Sequence, residues 1–277
     1  PRDPDIYRGP LLLFREAPKQ QTVHRGAIYC DSDVVFSRSF YGMTIPSNRA
    51  FEADYLYVLS YADLLAYWTL MTSSKFGVER DIYNQVDFLN FPVITRTAAQ
   101  ESLISKMAAD LKSGKPSWSS LNKLVAEIYE LSSFDEELIA DALEFENPYP
   151  ASKARALALI DEADPRIHAF ARSIASIISE LEDVEVHGIP CAVTPDGDRV
   201  WQFVRLTAGA QAALDREQVH ALLQHAPDTL MSSEIRLQLG PRDWLIGRLR
   251  QGRYWSRSQA RLLALDLIHQ GLFSSEH

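Results

Sequence analysis

Residues 52–71 read EADYLYVLSYADLLAYWTLM, and Asp63 is the one charge between Tyr55 and Met71. A helix over this stretch carries apolar side chains on nearly every side, and such a helix has to be buried. The run is too short and too interrupted for a membrane span. The pattern therefore predicts a single buried helix over Glu52–Met71. It ends in TSSKFGVER (72–80), where two serines, a lysine, a glycine and a Glu-Arg pair follow directly on the apolar run. That composition suits a helix C-cap with a solvated loop. It equally suits an exposed polar turn held out on a rigid arm.

Upstream, PLLLF, GAIYC and DVVFSRSFYG are short runs rich in Val, Ile, Phe and Tyr, separated by Gly, Pro, Asn and Asp. This pattern predicts a compact β element. Downstream of the turn, Pro92 stops any helix, and Phe91, Val93 and Ile94 are expected to form a closing strand. Residues 97–146 turn helical. Leu103, Ile104, Met107 and Leu111 share one face, then Leu121, Leu124, Val125, Ile128 and Leu131 share the next. Ser133 with Glu136 reads as a capping box, and NPYPAS (147–152) as a linker. Asp164-Pro165 starts a long helix striped by Ile167, Phe170, Ile174, Ile177, Ile178 and Leu181. In the last third, two strand-like runs flank Pro195-Asp196-Gly197, a hairpin signal. A short helix near Asp215, a strand over SEIRLQL and a helix capped by Ser256 follow. The expected class is α+β, with a mixed domain over 1–95, a helical segment over 96–183 and a C-terminal α+β portion over 184–277.

Composition narrows function. The chain has 277 residues, a net charge of −9 and a hydrophobic fraction of 46%. Bulk charge does not make it a nucleic-acid binder, so any such contact needs a local basic patch. The charge is −1 over 1–100, −6 over 101–150, −3 over 151–190 and +1 over 191–277. Cys30 and Cys191 are far apart and read as buried reduced thiols. No signal peptide opens the chain, whose polar, proline-rich start without a methionine reads as a fragment of a longer protein. The expected location is cytoplasmic, with no membrane involved. No glycine-rich phosphate cradle, no P-loop and no nucleophile elbow occurs. His220 and His225 are five apart, a spacing that separates the rings on a helix. No catalytic or metal site is expected in the chain itself.

The order GPLLLFREAP, DVVFSRSFYG, YLYVLSYADLLAYWTLMTSSKFG and then VDFLNFPV resembles the target-recognition region of N6-adenine DNA methyltransferases of restriction-modification and related phage-defence systems. In that family the helix commonly ends in a Thr/Ser-Ser-x-x-Gly turn. WSSLNKLVAEIYELSSFDEELI (118–139) is similar to the helical segment that follows it there. Together the likeness covers residues 10–145. It implies a recognition module that holds duplex DNA for a separate catalytic domain, which would use S-adenosylmethionine in the parent protein. Hydroxyls, backbone N–H groups and cations fix register on phosphates, while side chains reaching base edges read sequence. On that reading Ser73, Ser74, Lys75, Gly77 and Arg80, with Arg15, Lys19 and Arg38, are the DNA-binding candidates. Arg248, Arg250, Arg253 and Arg257, interleaved with aromatics, form a second basic cluster suited to tracking a nucleic-acid backbone. The other reading is an acidic protein–protein scaffold that docks another subunit of a defence system.

Overall fold

A computed structural model describes residues 4–17, 26–75, 82–147, 149–196, 199–209, 212–223 and 233–274. Among these residues, helices and two antiparallel sheets make an α+β protein, as the sequence patterning predicts. The chain divides into two compact units, Pro1–Lys153 and Ala154–His277. The expected boundary near 95 falls inside the first unit, and the one near 183 inside the second.

In the first unit, β1 (Leu11–Arg15) lies between β2 (Ile28–Cys30) and β3 (Phe40–Thr44), antiparallel to both. Leu11 to Phe14 are all buried. A central strand covered on both faces reads as a continuous apolar run rather than an alternating one. The buried segment at the centre is two helices, α1 (Ala50–Tyr61) and α2 (Asp63–Thr72), and not one. Ala62 between them is extended, with φ −73° and ψ 143°. No proline or glycine causes this break. Instead Asn122 bonds Asp63 twice, its Oδ1 accepting from the Asp63 N–H at 3.0 Å and its Nδ2 donating to Oδ2 at 2.8 Å. The side-chain amide thereby satisfies a donor that the start of α2 would otherwise leave open.

The predicted closing strand is absent among the described residues. Asn84 caps a short helix α3 (Gln85–Leu89), and Phe91 to Thr97 run irregularly. Phe91 is buried against Trp68, whereas Val93 is 59% exposed. Next come α4 (Ala98–Lys112), α5 (Trp118–Ile128) and α6 (Ser133–Phe145). Helix α4 packs on α1, and α5 and α6 pack on α2. Leu121, Leu124, Val125 and Ile128 are buried as expected, but Leu103 faces out. The cap of α6 is Ser132 with Asp135, one residue ahead of the predicted Ser133–Glu136 pair. Asn147 and Tyr149 are buried, and Asn147 Nδ2 donates to Leu143 O at 2.5 Å. The start of NPYPAS is thus packed into the unit rather than serving as a free linker. Helix α7 (Pro150–Leu157) carries the chain across the division.

The second unit is a four-stranded sheet in the order β4-β5-β7-β6, made of β4 (His187–Asp196), β5 (Arg199–Thr207), β6 (Glu234–Gly240) and β7 (Asp243–Leu249). The predicted hairpin is present as β4 and β5. Pro195 and Asp196 end β4, while Gly197 lies outside the described residues. Strand β7 pairs with both β5 and β6 and is not among the elements expected from the sequence. Helices α8 (Pro165–Glu182) and α10 (Arg257–His269) share a core with Val204, Leu206 and Ile246, while α9 (Arg216–Leu223) contributes Val219 to a second core with Trp201, Phe203 and Leu245. Asp164 caps α8 and Ser256 caps α10, as predicted.

Gly188 marks a close approach of sheet and helix. A Cβ there would fall 2.0 Å from Ala171 O, a backbone atom that cannot swing aside. Gly188→Ala is expected to destabilise the protein by about 1–3 kcal/mol or more, the cost of overpacking, read as a lower urea midpoint. Asp164 supplies a second test. Hydrogen bonds from Arg166 hold its carboxyl below the ordinary value. Its stabilisation is therefore fully present above the unfolded Asp pKa of about 3.9 and disappears as pH falls through the lowered folded value. Asp164→Ala should cost about 1 kcal/mol at pH 7. The gap to the parent protein should close on acidification through that window.

Candidate functional site

The polar turn after α2 is tied down by one buried carboxylate. Ser73 Oγ donates to Asp87 Oδ2 at 2.7 Å, and the Asn84 N–H donates to the same oxygen at 2.7 Å. Thr72 Oγ1 turns back to Trp68 O at 2.7 Å. Two of the three hydroxyls in the turn are thus spent on the fold. Ser74 is exposed, with Asn84 Nδ2 at 3.5 Å from its Oγ, and Lys75 is half-buried. Gly77, Glu79 and Arg80 lie outside the described residues, as does Lys19.

Beside Asn84, the Tyr83 N–H donates to Glu16 O at 2.7 Å, and the Glu16 N–H donates to Ser39 O at 2.9 Å. The phenol of Tyr41 donates to Tyr83 O at 3.1 Å. Burial pushes that phenol up, and the nearby carboxylates of Glu16 and Asp87 push it further. This chain of bonds brings three separate segments to one end of the small sheet: the end of β1, the start of β3 and the residues flanking α3. Arg15 stands there opposite Phe40, with its guanidinium carbon 5.2 Å from the ring centroid. Arg38 is exposed two residues before β3. Among the described residues, no carboxylate lies within ion-pair distance of Arg15, Arg38 or Lys75. The structure thus gathers Arg15, Arg38, Ser73, Ser74 and Lys75 around one set of joints, and adds Asn84, which is not among the residues expected from the sequence. The Asn-x-x-Asp spacing at 84–87 was the available signal.

The second basic cluster belongs to the other unit, where Arg248 is internal, Arg250 and Arg253 are half-buried and Arg257 is exposed. Arg248 is buried, donates through Nε to Glu234 Oε2 at 2.7 Å and through Nη1 to Tyr254 O and Gln259 Oε1, both at 3.2 Å. Arg236 joins the same Glu234 to Asp266, with both contacts at 2.6 Å. Trp255 is core, bonded to Leu249 O and packed on Phe170. Arg253 stacks on Tyr254 at 4.8 Å, and Arg257 opens α10. Arg250 reaches Glu162 at 3.5 Å. Cys30 and Cys191 are free thiols, each pushed up mainly by burial. Among the described residues, no three His, Cys, Asp or Glu side chains stand together as a metal site, and no helix is long and apolar enough to cross a membrane.

Set against known proteins, the chain matches no family model, no curated protein and no solved structure.

The buried and exposed hydroxyls of the turn should part company on mutation. Ser73→Ala removes one of the two donors to the buried Asp87 Oδ2 and is expected to cost about 1–3 kcal/mol. Ser74→Ala should stay within about 0.5 kcal/mol of the parent protein. Paired chemical-denaturation curves check both. A second pair of curves tests the internal arginines. Glu234→Ala strips two guanidiniums of a shared, largely buried carboxylate and should cost about 3–5 kcal/mol.

Proposed function

We propose that the Pro1–Lys153 unit is a DNA-recognition module, an accessory part of an N6-adenine DNA methyltransferase-like protein, non-catalytic by itself. It would hold duplex DNA while a separate domain methylates adenine with S-adenosylmethionine. The observation that carries this reading is the convergence of Arg15, Arg38, Lys75, Ser74 and Asn84 at one end of the sheet, with three cations unpaired among the described residues. Guanidinium and ammonium groups suit phosphate oxygens, and the exposed Ser74 hydroxyl and half-buried Asn84 amide suit either phosphates or base edges. The hydrogen-bonded joints beneath them supply rigidity, which a reader of base edges needs. The acidic charge of the 101–150 region would keep DNA off the rest of the unit and confine contact to that end.

A specific feature favours the scaffold reading as a second possibility. Between α4 and α5 runs an open groove of about 370 Å³, lined by Leu103, Met107 and Leu124 and rimmed by Lys106, Lys123, Asp110 and Glu127. Its mixed rim suits a protein segment better than a polyanion.

Salt dependence separates the two. For a duplex oligonucleotide, the slope of log affinity against log salt should be clearly negative, and Arg15→Ala and Lys75→Ala should each flatten it by about 0.9. Absence of duplex binding at low ionic strength, or a slope indifferent to both substitutions, would remove the recognition reading.

A further inference from the structure

The arginines of the second unit fall into two classes. Arg205 clasps Asp243 through Nε at 2.9 Å and Nη2 at 2.6 Å, and Arg236 and Arg248 are closed off by Glu234 and its neighbours. Arg250 is different. Its Nη1 lies 3.5 Å from Glu162 Oε1, and its Nε is buried without a hydrogen-bond partner. Arg216, the first residue of α9, points its Nη2 at the same oxygen from 3.9 Å. Two guanidiniums therefore share one carboxylate oxygen, at distances at or beyond the outer limit of a hydrogen bond. The cluster carries a net positive charge. Asp215, the residue before α9, is occupied in capping, with its Oδ1 accepting from the Gln218 N–H at 2.9 Å.

Arg250 is also held in place. Its N–H donates to Val200 O at 2.8 Å and its carbonyl accepts from the Ile160 N–H at 3.1 Å. One residue on, Gln251 bridges to Leu159, and the Gly252 N–H donates to Ala158 O at 3.0 Å. The side chain is only 16% exposed, whereas Glu162 and Arg216 are 59% and 64% exposed. A fixed guanidinium thus presents its Nη1 to two largely exposed groups. We propose that Arg250 and Arg216 form a phosphate-binding site, with Glu162 as a displaceable stand-in for the anion. A phosphate group offers several oxygens, so it brings one to Arg250 Nη1 and another to Arg216 Nη2 at hydrogen-bond length, which the single distant carboxylate oxygen does not. Backbone phosphate of a nucleic acid and a free phosphate group share this chemistry. The site is independent of the recognition surface proposed for the other unit.

The test uses the full chain at low ionic strength, titrated with inorganic phosphate and, in parallel, with a short duplex oligonucleotide. Glu162→Gln removes the competitor and should tighten binding about threefold or more, since a like charge is taken from within a few ångströms of the anion. Loss of fold cannot produce a gain, so this variant separates the proposal from damage. Arg216→Ala should weaken binding and abolish the gain when combined with Glu162→Gln. Arg250→Lys, which keeps the charge and loses the planar group that places Nη1, should weaken it as well. A gain with both ligands assigns backbone phosphate, and a gain confined to inorganic phosphate assigns a small phosphorylated ligand. Affinity unchanged or lowered by Glu162→Gln, or no binding of either ligand, overturns the proposal.

Discussion

The Oδ2 atom of Asp87 accepts from Ser73 Oγ and from the Asn84 N–H, and through those two bonds the end of α2 is fastened to the start of α3. A buried carboxylate is costly unless its lone pairs are used, so the arrangement is stable only when both partners are in place. The next residue along, Tyr83, bonds the end of β1, and Tyr41 of β3 bonds Tyr83 in turn. Four elements therefore meet at one small polar knot inside an otherwise aromatic and aliphatic unit. Every side chain offered for DNA contact in the described part of that unit is mounted within a few residues of the knot. Its geometry decides whether those groups form a surface or a scatter.

Charge is managed differently in the two units. At the knot, the cations stay at the surface and the anion is buried among hydrogen-bond donors. In the second unit, Glu234 and Asp243 lie between strands and consume Arg205, Arg236 and Arg248. A dense run of arginines in sequence is therefore weak evidence for a basic surface. What matters is whether a carboxylate waits across the sheet, as Glu234 does for Arg248 in the β6–β7 register.

Much of the fold was legible because its signals are local. Asp164-Pro165 announces α8 within two residues, and the hairpin and the Ser256 cap are equally short-range. The strand β7 was missed because DWLIGRL sits among arginines and aromatics, and only its pairing with β5 and β6 identifies it as central. The break at Ala62 leaves no mark on the chain, since Asn122, which takes the place of a helical partner, lies far along the sequence. Phe91–Ile94 failed as a strand for the converse reason: strand-like composition without a neighbour makes no ladder. At the site, the serines were read as a group. Which of them is free depends on Asp87, fourteen positions from Ser73, and no spacing rule within the turn could reveal that.

The joint at Ala62 has a mechanical meaning. One continuous helix would act as a stiff beam from the polar turn to the far side of the sheet. Helix α2 is instead a lever of ten residues, about 15 Å long, braced sideways by α5 and α6. A load applied at Ser74 and Lys75 travels down that lever and arrives at the Asn122–Asp63 clasp, on α5. From there it passes into the bundle through α5, and into α1 through the packing of α1 on α2.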